Sequence, residues 1–321
     1  MNMKITTSHM SVPVKIAVFS SIAILVAAPF LKIYPIFLMS IMCFALFAAA
    51  FNLLLGYVGL LSFGHAAFFG GGAYIAGYAT KTWGFTPEIS IILGGLAGAF
   101  LGAAMGYLAI QRKGIYFSMI TLALSQMVFF IAVQAPFTGG EDGLQPIPRG
   151  KLLGVISLES NNAIYFFVLT VFIMGIFALW RVVNSPFGQV LKAIREHEPR
   201  AISLGYDVHR YKLIAFVISA SLTGVAGGLK ALVTQIASLT DITWQTSGEV
   251  ILMTILGGIG TTFGPILGAG LVKSLEDHLA SIGFPVPVLI GIIFVACVLV
   301  FRRGIIGELE YFLNKRRSVK N

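Results

Sequence analysis

Charged residues are scarce in this chain of 321 residues: they make up 11% of it, whereas hydrophobic residues make up 57%. Soluble domains usually carry about 25% charged residues, so this composition excludes an ordinary soluble protein and indicates a membrane protein. Cysteine is also scarce, and Cys43 and Cys297 both lie inside apolar runs without the spacing of metal ligands. We therefore expect both cysteines to be packing residues at membrane depth.

The motifs of enzymes are missing as well. The only Gly-Lys pair is Gly150-Lys151, but Gln145 stands where a phosphate-binding loop needs its first glycine and Leu152 replaces serine or threonine. We find no metal-ligand spacing, nucleophile elbow or clustered carboxylates, so a membrane enzyme ranks behind a transporter or channel. We expect no cofactor or metal on this chain, and any ATP hydrolysis would belong to another chain.

Long apolar stretches are what the chain has in abundance. A helix needs about 20 apolar residues to cross the hydrocarbon core, and nine stretches approach that length. They cover 16–31, 34–55, 60–80, 88–110, 115–136, 163–180, 213–236, 249–272 and 285–301. The sequence therefore predicts an all-α fold, a polytopic transmembrane helical bundle of about 8–10 spans that includes short or broken helices.

The basic residues predict which side each connection occupies. Lys and Arg outnumber Asp and Glu by 22 to 13, and the positive-inside rule accounts for this excess without a nucleic-acid partner. Arg112-Lys113, the loop 181–212 and the tail 302–321 are basic and should be cytoplasmic, whereas 137–161 is acidic to neutral and should face outward. The segment 1–15 should also be cytoplasmic, ahead of an uncleaved first helix, although the chain start could pass for a signal peptide.

Glycines interrupt the eighth stretch. Nine single crossings would leave the basic tail outside, which contradicts its charge. Gly257, Gly258, Gly260 and Gly264 are residues that no straight helix would favour in its middle. We therefore predict that 249–280 is a broken hairpin, either re-entrant or two short spans, within a transmembrane domain over 16–301. Such irregular backbone is tolerated at membrane depth only where protein or a water-filled path surrounds it.

Few ionisable residues interrupt the predicted spans. We expect Lys230 to lie towards the outer end and snorkel, Glu249 to begin its segment at the interface, and His65 to be a packing histidine. No buried relay of acids and histidines is evident, which disfavours a secondary transporter. Small residues also recur every four positions and predict close helix packing. They are Ser90, Gly94, Gly98, Gly102 and Gly106 in the fourth stretch, and Ala215, Ser219, Thr223, Gly227 and Ala231 in the seventh.

A short helix with signals at both ends lies in the loop 181–212. Pro199 suits the first helical position and Gly205 suits the left-handed residue beyond the end, so we predict a helix over Pro199–Leu204. Its apolar residues Ala201, Ile202 and Leu204 have no core of their own and should be exposed. The helix would then lie on the bilayer surface or dock a cytoplasmic partner.

The same loop carries a longer pattern, which continues into the start of the seventh stretch. It reads Ala193-Ile194-Arg195-Glu196, Glu198, Ala201, Leu204-Gly205, Tyr211-Lys212, Ala215-Phe216-Val217, Gly224 and Ala226-Gly227. This run resembles the coupling segment of branched-chain amino-acid ABC permeases of the LivM-like subfamily. Segments 52–67, 138–144 and 257–265 resemble the same family, so the likeness covers nearly the whole chain. The pair Pro199-Arg200 departs from it, because that family usually has small alanines there.

The resemblance implies the permease subunit of an ABC importer for branched-chain amino acids, a multi-pass protein of the bacterial inner membrane with both termini cytoplasmic. It implies two cytoplasmic ATPase subunits that use ATP, a second homologous permease subunit, and a periplasmic substrate-binding protein that does most of the selecting. A permease for urea or short amides, and a secondary transporter or channel, remain alternatives.

The resemblance also implies site residues. In the family the loop docks on the ATPase, which assigns coupling to Glu196, Glu198, Ala201, Leu204 and Gly205. Residues of the translocation path or of broken helices are expected among Ser62, Gly64, His65, Gly257, Gly258, Gly260 and Gly264.

Overall fold

The structure is a computed structural model that describes residues 34–280 together with Val288, Gly291, Ile292 and Val295. The predicted first span, most of the ninth, the second cysteine and the basic tail lie outside the described residues. Within them the chain is helical almost throughout, and the all-α helical bundle predicted from the sequence is confirmed.

The elements follow one another with short connections. They are α1 (Pro35–Asn52) continued by a π-helical segment (Leu53–Val58), α2 (His65–Lys81), α3 (Pro87–Ala109), α4 (Ile115–Gln134), 3₁₀ turns at Pro136–Thr138 and Gly140–Asp142, β1 (Lys151–Leu152), β2 (Ile156–Ser157), α5 (Asn161–Val183), α6 (Pro186–Glu196), α7 (Glu198–Ser203), α8 (Val208–Thr234), a 3₁₀ turn at Leu239–Asp241, α9 (Trp244–Gly257) and α10 (Gly264–Ala280).

Five helices in the described chain are long and apolar enough to cross a membrane: α1 with its π-helical extension, α3, α4, α5 and α8. The other three helices of the bundle are shorter. Helix α2 begins only at His65, after an irregular connection, while α9 and α10 divide the predicted eighth stretch between them. The broken helix predicted over 249–280 is therefore observed.

Helix α8 lies at the centre of the bundle, against α1, α2 and α3. The small-residue ridge of α3 lies directly on α8, because a Cβ on Gly98 would overlap the carbonyl oxygen of Ala220. The ridge predicted on α8 faces α1 and α2 instead: Ser219 Oγ donates to the carbonyl oxygen of Ala50 at 2.6 Å, and Gly227 lies on the backbone of Phe69. Both ridges therefore bring helix backbones together, as expected for association in lipid.

The bundle has two distinct ends. At the basic end, α6 and α7 meet the turn between α3 and α4, where Lys113 contacts Glu198. At the opposite end, β1 and β2 form a small antiparallel hairpin, and Leu144 bridges to Ala237. The segments 137–161 and 181–212 thus lie at opposite ends, in agreement with their opposite charge.

Helices α9 and α10 form an antiparallel hairpin. Glu249 faces Lys273 near its open end, Met253 faces Gly268, and Gly257 faces Gly264 where the two helices join. The break, residues 258–263, lies towards the basic end, because Asn52 binds Thr261 there. Helix α9 therefore runs towards that end and α10 runs back.

The contact between α3 and α8 predicts how the bundle responds to one added methyl group. Gly98→Ala should lower the unfolding midpoint, since overpacking against backbone costs about 1–3 kcal/mol. Gly248→Ala in α9 is the matched control: no described atom outside its own turn lies within 4 Å of a Cβ there, and alanine favours a helix by about 1 kcal/mol. Thermal unfolding in detergent measures both, and a Gly98→Ala midpoint at or above that of the parent would contradict the packing.

Candidate functional site

The helices of the basic-end loop are defined by side-chain caps. Ser185 Oγ accepts the amide of Gly188 at 3.4 Å at the start of α6, and His197 Nδ1 accepts the amide of Arg200 at 3.2 Å at the start of α7. Helix α7 spans Glu198–Ser203, one residue earlier at each end than predicted, because His197 supplies the cap and Pro199 follows within the first turn.

The end of α7 is a complete Schellman motif. The amide of Gly205 donates to the carbonyl oxygen of Ile202 at 2.9 Å, and that of Tyr206 donates to Ala201 at 3.2 Å. Gly205 has φ +86°, so the left-handed conformation predicted for it is observed. Both ends of the six-residue helix are therefore fixed by hydrogen bonds, which makes it a defined element on the surface.

Ala201 corrects the expectation that all apolar residues of α7 are exposed. Its side chain is 2% exposed and packs with Ile194 of α6 and Val208 of α8, whereas Ile202 is 56% exposed and Leu204 68%. The short helix has a small apolar core of its own, which the sequence did not reveal. Ile202 and Leu204 are the most exposed of the large apolar side chains in the described loop.

Glu198 ties α7 to the rest of the chain, whereas Glu196 is exposed. The two carboxylate oxygens of Glu198 each lie 3.1 Å from a lysine ammonium, one from that of Lys113 and one from that of the buried Lys212. Burial works to raise the pKa of Glu198, but hydrogen bonds and charge from the two lysines outweigh it, so the pKa lies below its ordinary value. Glu198 therefore anchors the loop from within.

Arg195 joins the loop to the broken helices. From the last turn of α6, its guanidinium donates to the carbonyl oxygen of Gly56 in the π-helical segment. The same guanidinium lies beside Gly260 in the α9–α10 break, where a Cβ would come within 3.1 Å of Nη1. One residue of the loop thus contacts both places where membrane helices lose their regular hydrogen bonds.

Asn52 joins the same two breaks from the other side. Its Nδ2 donates to the carbonyl oxygen of Thr261 at 2.8 Å, and its Oδ1 accepts the amide of Gly260 at 3.0 Å. Neither Asn52 nor Arg195 was identified as a site residue from the sequence. A buried asparagine in an otherwise apolar stretch was the signal that could have drawn attention to the first.

The glycines of the α9–α10 break are required by geometry. Gly258 and Gly260 have φ of 120° and 78°, a region that residues with a side chain rarely adopt. A Cβ on Gly257 would overlap the carbonyl oxygen of Gly264, so these two positions let the hairpin close. Thr261 Oγ1 accepts the amide of Gly264 at 3.1 Å and donates to Gly258 at 2.8 Å. The predicted break is therefore an ordered turn.

His65 is a packing histidine, as expected. It is fully buried, with ring centroids 5.0 Å from Phe51 and 5.2 Å from Phe68. Its Nε2 lies 3.0 Å from Ser219 Oγ, and because that hydroxyl donates to Ala50, Nε2 must be the donor. Nδ1 is left without a partner within the described chain.

Ser62 and Gly64 shape the connection that leads into α2. Ser62 Oγ accepts the amide of Gly64 at 3.2 Å, and Gly64 is the N-cap residue of α2. The seven predicted path residues thus lie at two interruptions of the helices, the connection before α2 and the α9–α10 break. Of those at the break, Gly260 lies beside Gly56 and Arg195, while His65, the first residue of α2, is buried among aromatic rings.

Lys230 and Glu249, the other two ionisable residues expected in the predicted spans, are both paired. Lys230 lies 2.7 Å from Asp241, which corrects the expectation that it snorkels free at the outer end. Lys273 lies 2.8 Å from Glu249 and 2.7 Å from Glu276, so Glu249 is paired with the opposite helix of the hairpin. Charges at membrane depth need such partners, and these pairs hold α8 to the following turn and α9 to α10.

Comparison with known proteins places the sequence of this chain in a family. The family model for the branched-chain amino acid transport system permease component matches residues 34–301. High-affinity branched-chain amino acid transport system permease protein LivM of Salmonella typhimurium is 28% identical over 254 residues, covering 72% of this chain and 60% of that protein. LivM of Escherichia coli is 27% identical with the same coverage.

A relative with another named role also matches. Autoinducer 2 import system permease protein LsrC of Salmonella typhi is 26% identical over 204 residues, 61% of this chain and 55% of that protein. No solved structure matches the chain. The chain spans about 60% of the length of the two LivM proteins. Since the family model covers most of the chain, from the first described helix onward, the protein belongs to the permease components of branched-chain amino acid transport systems.

Proposed function

We propose that this chain is the membrane-spanning permease subunit of an ABC importer that moves branched-chain amino acids across a bacterial inner membrane. Family membership supports the proposal, and one structural observation carries it. A capped surface loop is joined through Arg195 to both breaks in the membrane helices. Such a connection suits a protein whose transport path is driven from outside the membrane by another subunit.

The basic end of the bundle is the cytoplasmic end in this proposal. Arg112-Lys113 and the loop 181–212 carry the cations that the positive-inside rule places in the cytoplasm, and both lie at that end. Both chain termini would then be cytoplasmic as well. The predicted first span would lead from the cytoplasm to the outer start of α1, and the last predicted span would lead back from the outer end of the α9–α10 hairpin.

In this proposal the importer has two cytoplasmic ATPase subunits, and the loop docks on one of them. Ile202 and Leu204 form the exposed apolar surface that would enter a groove on one of them, while Ala201 and Glu198 keep α7 in place. A second permease subunit, homologous to this chain, would present the same kind of loop to the other ATPase. A periplasmic binding protein would deliver the substrate to the opposite end and do most of the selecting.

Nucleotide-driven movement of the loop would reach the membrane through Arg195. A rigid element that contacts a segment with two arrangements can transmit a conformational change, and in this proposal the π-helical segment and the α9–α10 break change arrangement when α6 moves. Displacement of α6 would act on Gly56 and Gly260 together. Transport of a small solute would follow from rearrangement of the π-helical segment and the α9–α10 break.

A different small polar solute is the second candidate substrate. The likeness to LsrC supports this alternative, because that relative's name describes import of autoinducer 2. Competition for uptake in the reconstituted importer separates the two: leucine, isoleucine and valine should compete with each other, and autoinducer 2 should not.

Docking of the loop predicts the effect of a charge at Leu204. Leu204→Asp would put an unpaired carboxylate into an apolar groove, so the ATPase that co-purifies per chain should fall about tenfold or more. Leu153→Asp is the control, because Leu153 is similarly exposed, at 76% against 68%, but lies at the opposite end. Chain abundance in the membrane should stay normal for both. If Leu204→Asp retains as much ATPase as Leu153→Asp, the loop lies on the bilayer surface and the docking proposal fails.

The Schellman motif predicts a contrast between two substitutions of Gly205. Valine at φ +86° costs about 1–2 kcal/mol of backbone strain, whereas asparagine tolerates this conformation. Space is not the limit, because no described atom lies within 4 Å of a Cβ at Gly205. Gly205→Val should speed amide hydrogen exchange over 201–206 and reduce co-purified ATPase, while Gly205→Asn should resemble the parent. Equal exchange in the two variants would show that this cap does not hold the helix.

A further inference from the structure

An open apolar groove of about 710 Å³ runs down the bundle between α3, α5 and α8. Its wall on α5 extends from Ala163 to Ala178, a length of about 22 Å at 1.5 Å per residue. Phe167 and Met174 line this wall, and Val225 of α8 lies opposite them. The coupling loop and the two helix breaks lie elsewhere, so transport as proposed above makes no use of this groove.

The mouth of the groove carries charge. Glu88, in the first turn of α3, accepts the amide of Leu153 through Oε1 at 2.9 Å, while its Oε2 has no hydrogen-bond partner in the described chain. A carboxylate oxygen left without a donor costs free energy, so a donor from outside would be favourable there. Glu88 also lines the groove, so an incompletely paired anion lies at the end of an apolar groove.

The β1–β2 hairpin at the mouth is apolar on its exposed side. Leu153 and Val155 at its tip, and Ile156 beside them, are all largely exposed. Leu152 and Ile156 also line the groove. Apolar side chains at the end of a membrane bundle are expected to enter the lipid headgroup region, which places the mouth at that level.

We propose that the groove binds a phospholipid with an amine headgroup, such as phosphatidylethanolamine, from the leaflet at the β-hairpin end. Its ammonium would pair with Glu88, and an acyl chain would lie along α5. The groove is long enough for one acyl chain, because one leaflet contributes about half of the roughly 30 Å hydrocarbon core.

Substitutions that fill the groove with side chains test whether a phospholipid occupies it. Thr170→Trp/Met174→Trp places two indoles on exposed groove positions of α5, and Leu96→Trp/Phe100→Trp places two on exposed positions of α3 outside the groove at the same spacing. The full chain is purified in mild detergent, supplied with palmitoyl-oleoyl phosphatidylethanolamine, washed, and its retained lipid counted by native mass spectrometry. The groove variant should retain about tenfold less lipid than the parent. The α3 variant should match the parent.

Glu88→Gln tests the headgroup separately, since it keeps the shape of the mouth and removes its negative charge. The parent should retain phosphatidylethanolamine in preference to phosphatidylglycerol, and Glu88→Gln should lose that preference while still retaining lipid. The proposal is overturned if the groove variant retains as much lipid as the α3 variant. It is equally overturned if the groove variant loses a co-purifying membrane subunit instead of lipid, because the groove would then be a protein interface.

Discussion

Satisfying the backbone where membrane helices are broken is the constraint on which the rest of this structure depends. In lipid an unpaired amide or carbonyl group has no water to bind, so every interruption of a helix needs polar partners from the protein. Here two such interruptions, the π-helical segment after α1 and the turn between α9 and α10, lie side by side. Asn52 binds the turn from within the bundle, and Arg195 binds Gly56 from the surface loop.

This arrangement explains why the surface loop is so well ordered. Arg195 can serve the breaks only if α6 is held at a fixed position, and several weak contacts combine to hold it. His197 and Gly205 define the ends of α7, Ala201 packs onto α6 and α8, and Glu198 pairs with two lysines. Each contact is small, but together they hold α6 and α7 as one unit, as the proposed transmission from an ATPase subunit would require.

Most of the fold could be predicted from the sequence because its causes are local. Apolar stretches gave the helices, the glycines of 257–264 located the break, and Gly205 located the end of α7. The polar contacts could not be predicted, since they join residues far apart in the chain: Arg195 and Gly56 are 139 positions apart. For the same reason the burial of Ala201 and the pairing of Lys230 were missed, because each depends on which residue another element places opposite.

The number of substrate molecules taken up per ATP hydrolysed, the coupling ratio, measured for Arg195→Gln tests most directly whether Arg195 links the loop to the broken helices. In the complete importer reconstituted in vesicles, this variant should keep its ATPase subunits and hydrolyse ATP, but its uptake per ATP hydrolysed should fall about tenfold, within the usual range of coupling energies. Arg200→Gln removes a cation from exposed α7 and should keep the parental ratio. A parental ratio in Arg195→Gln, at normal abundance and unfolding midpoint, would contradict a route from the loop to the broken helices through this residue.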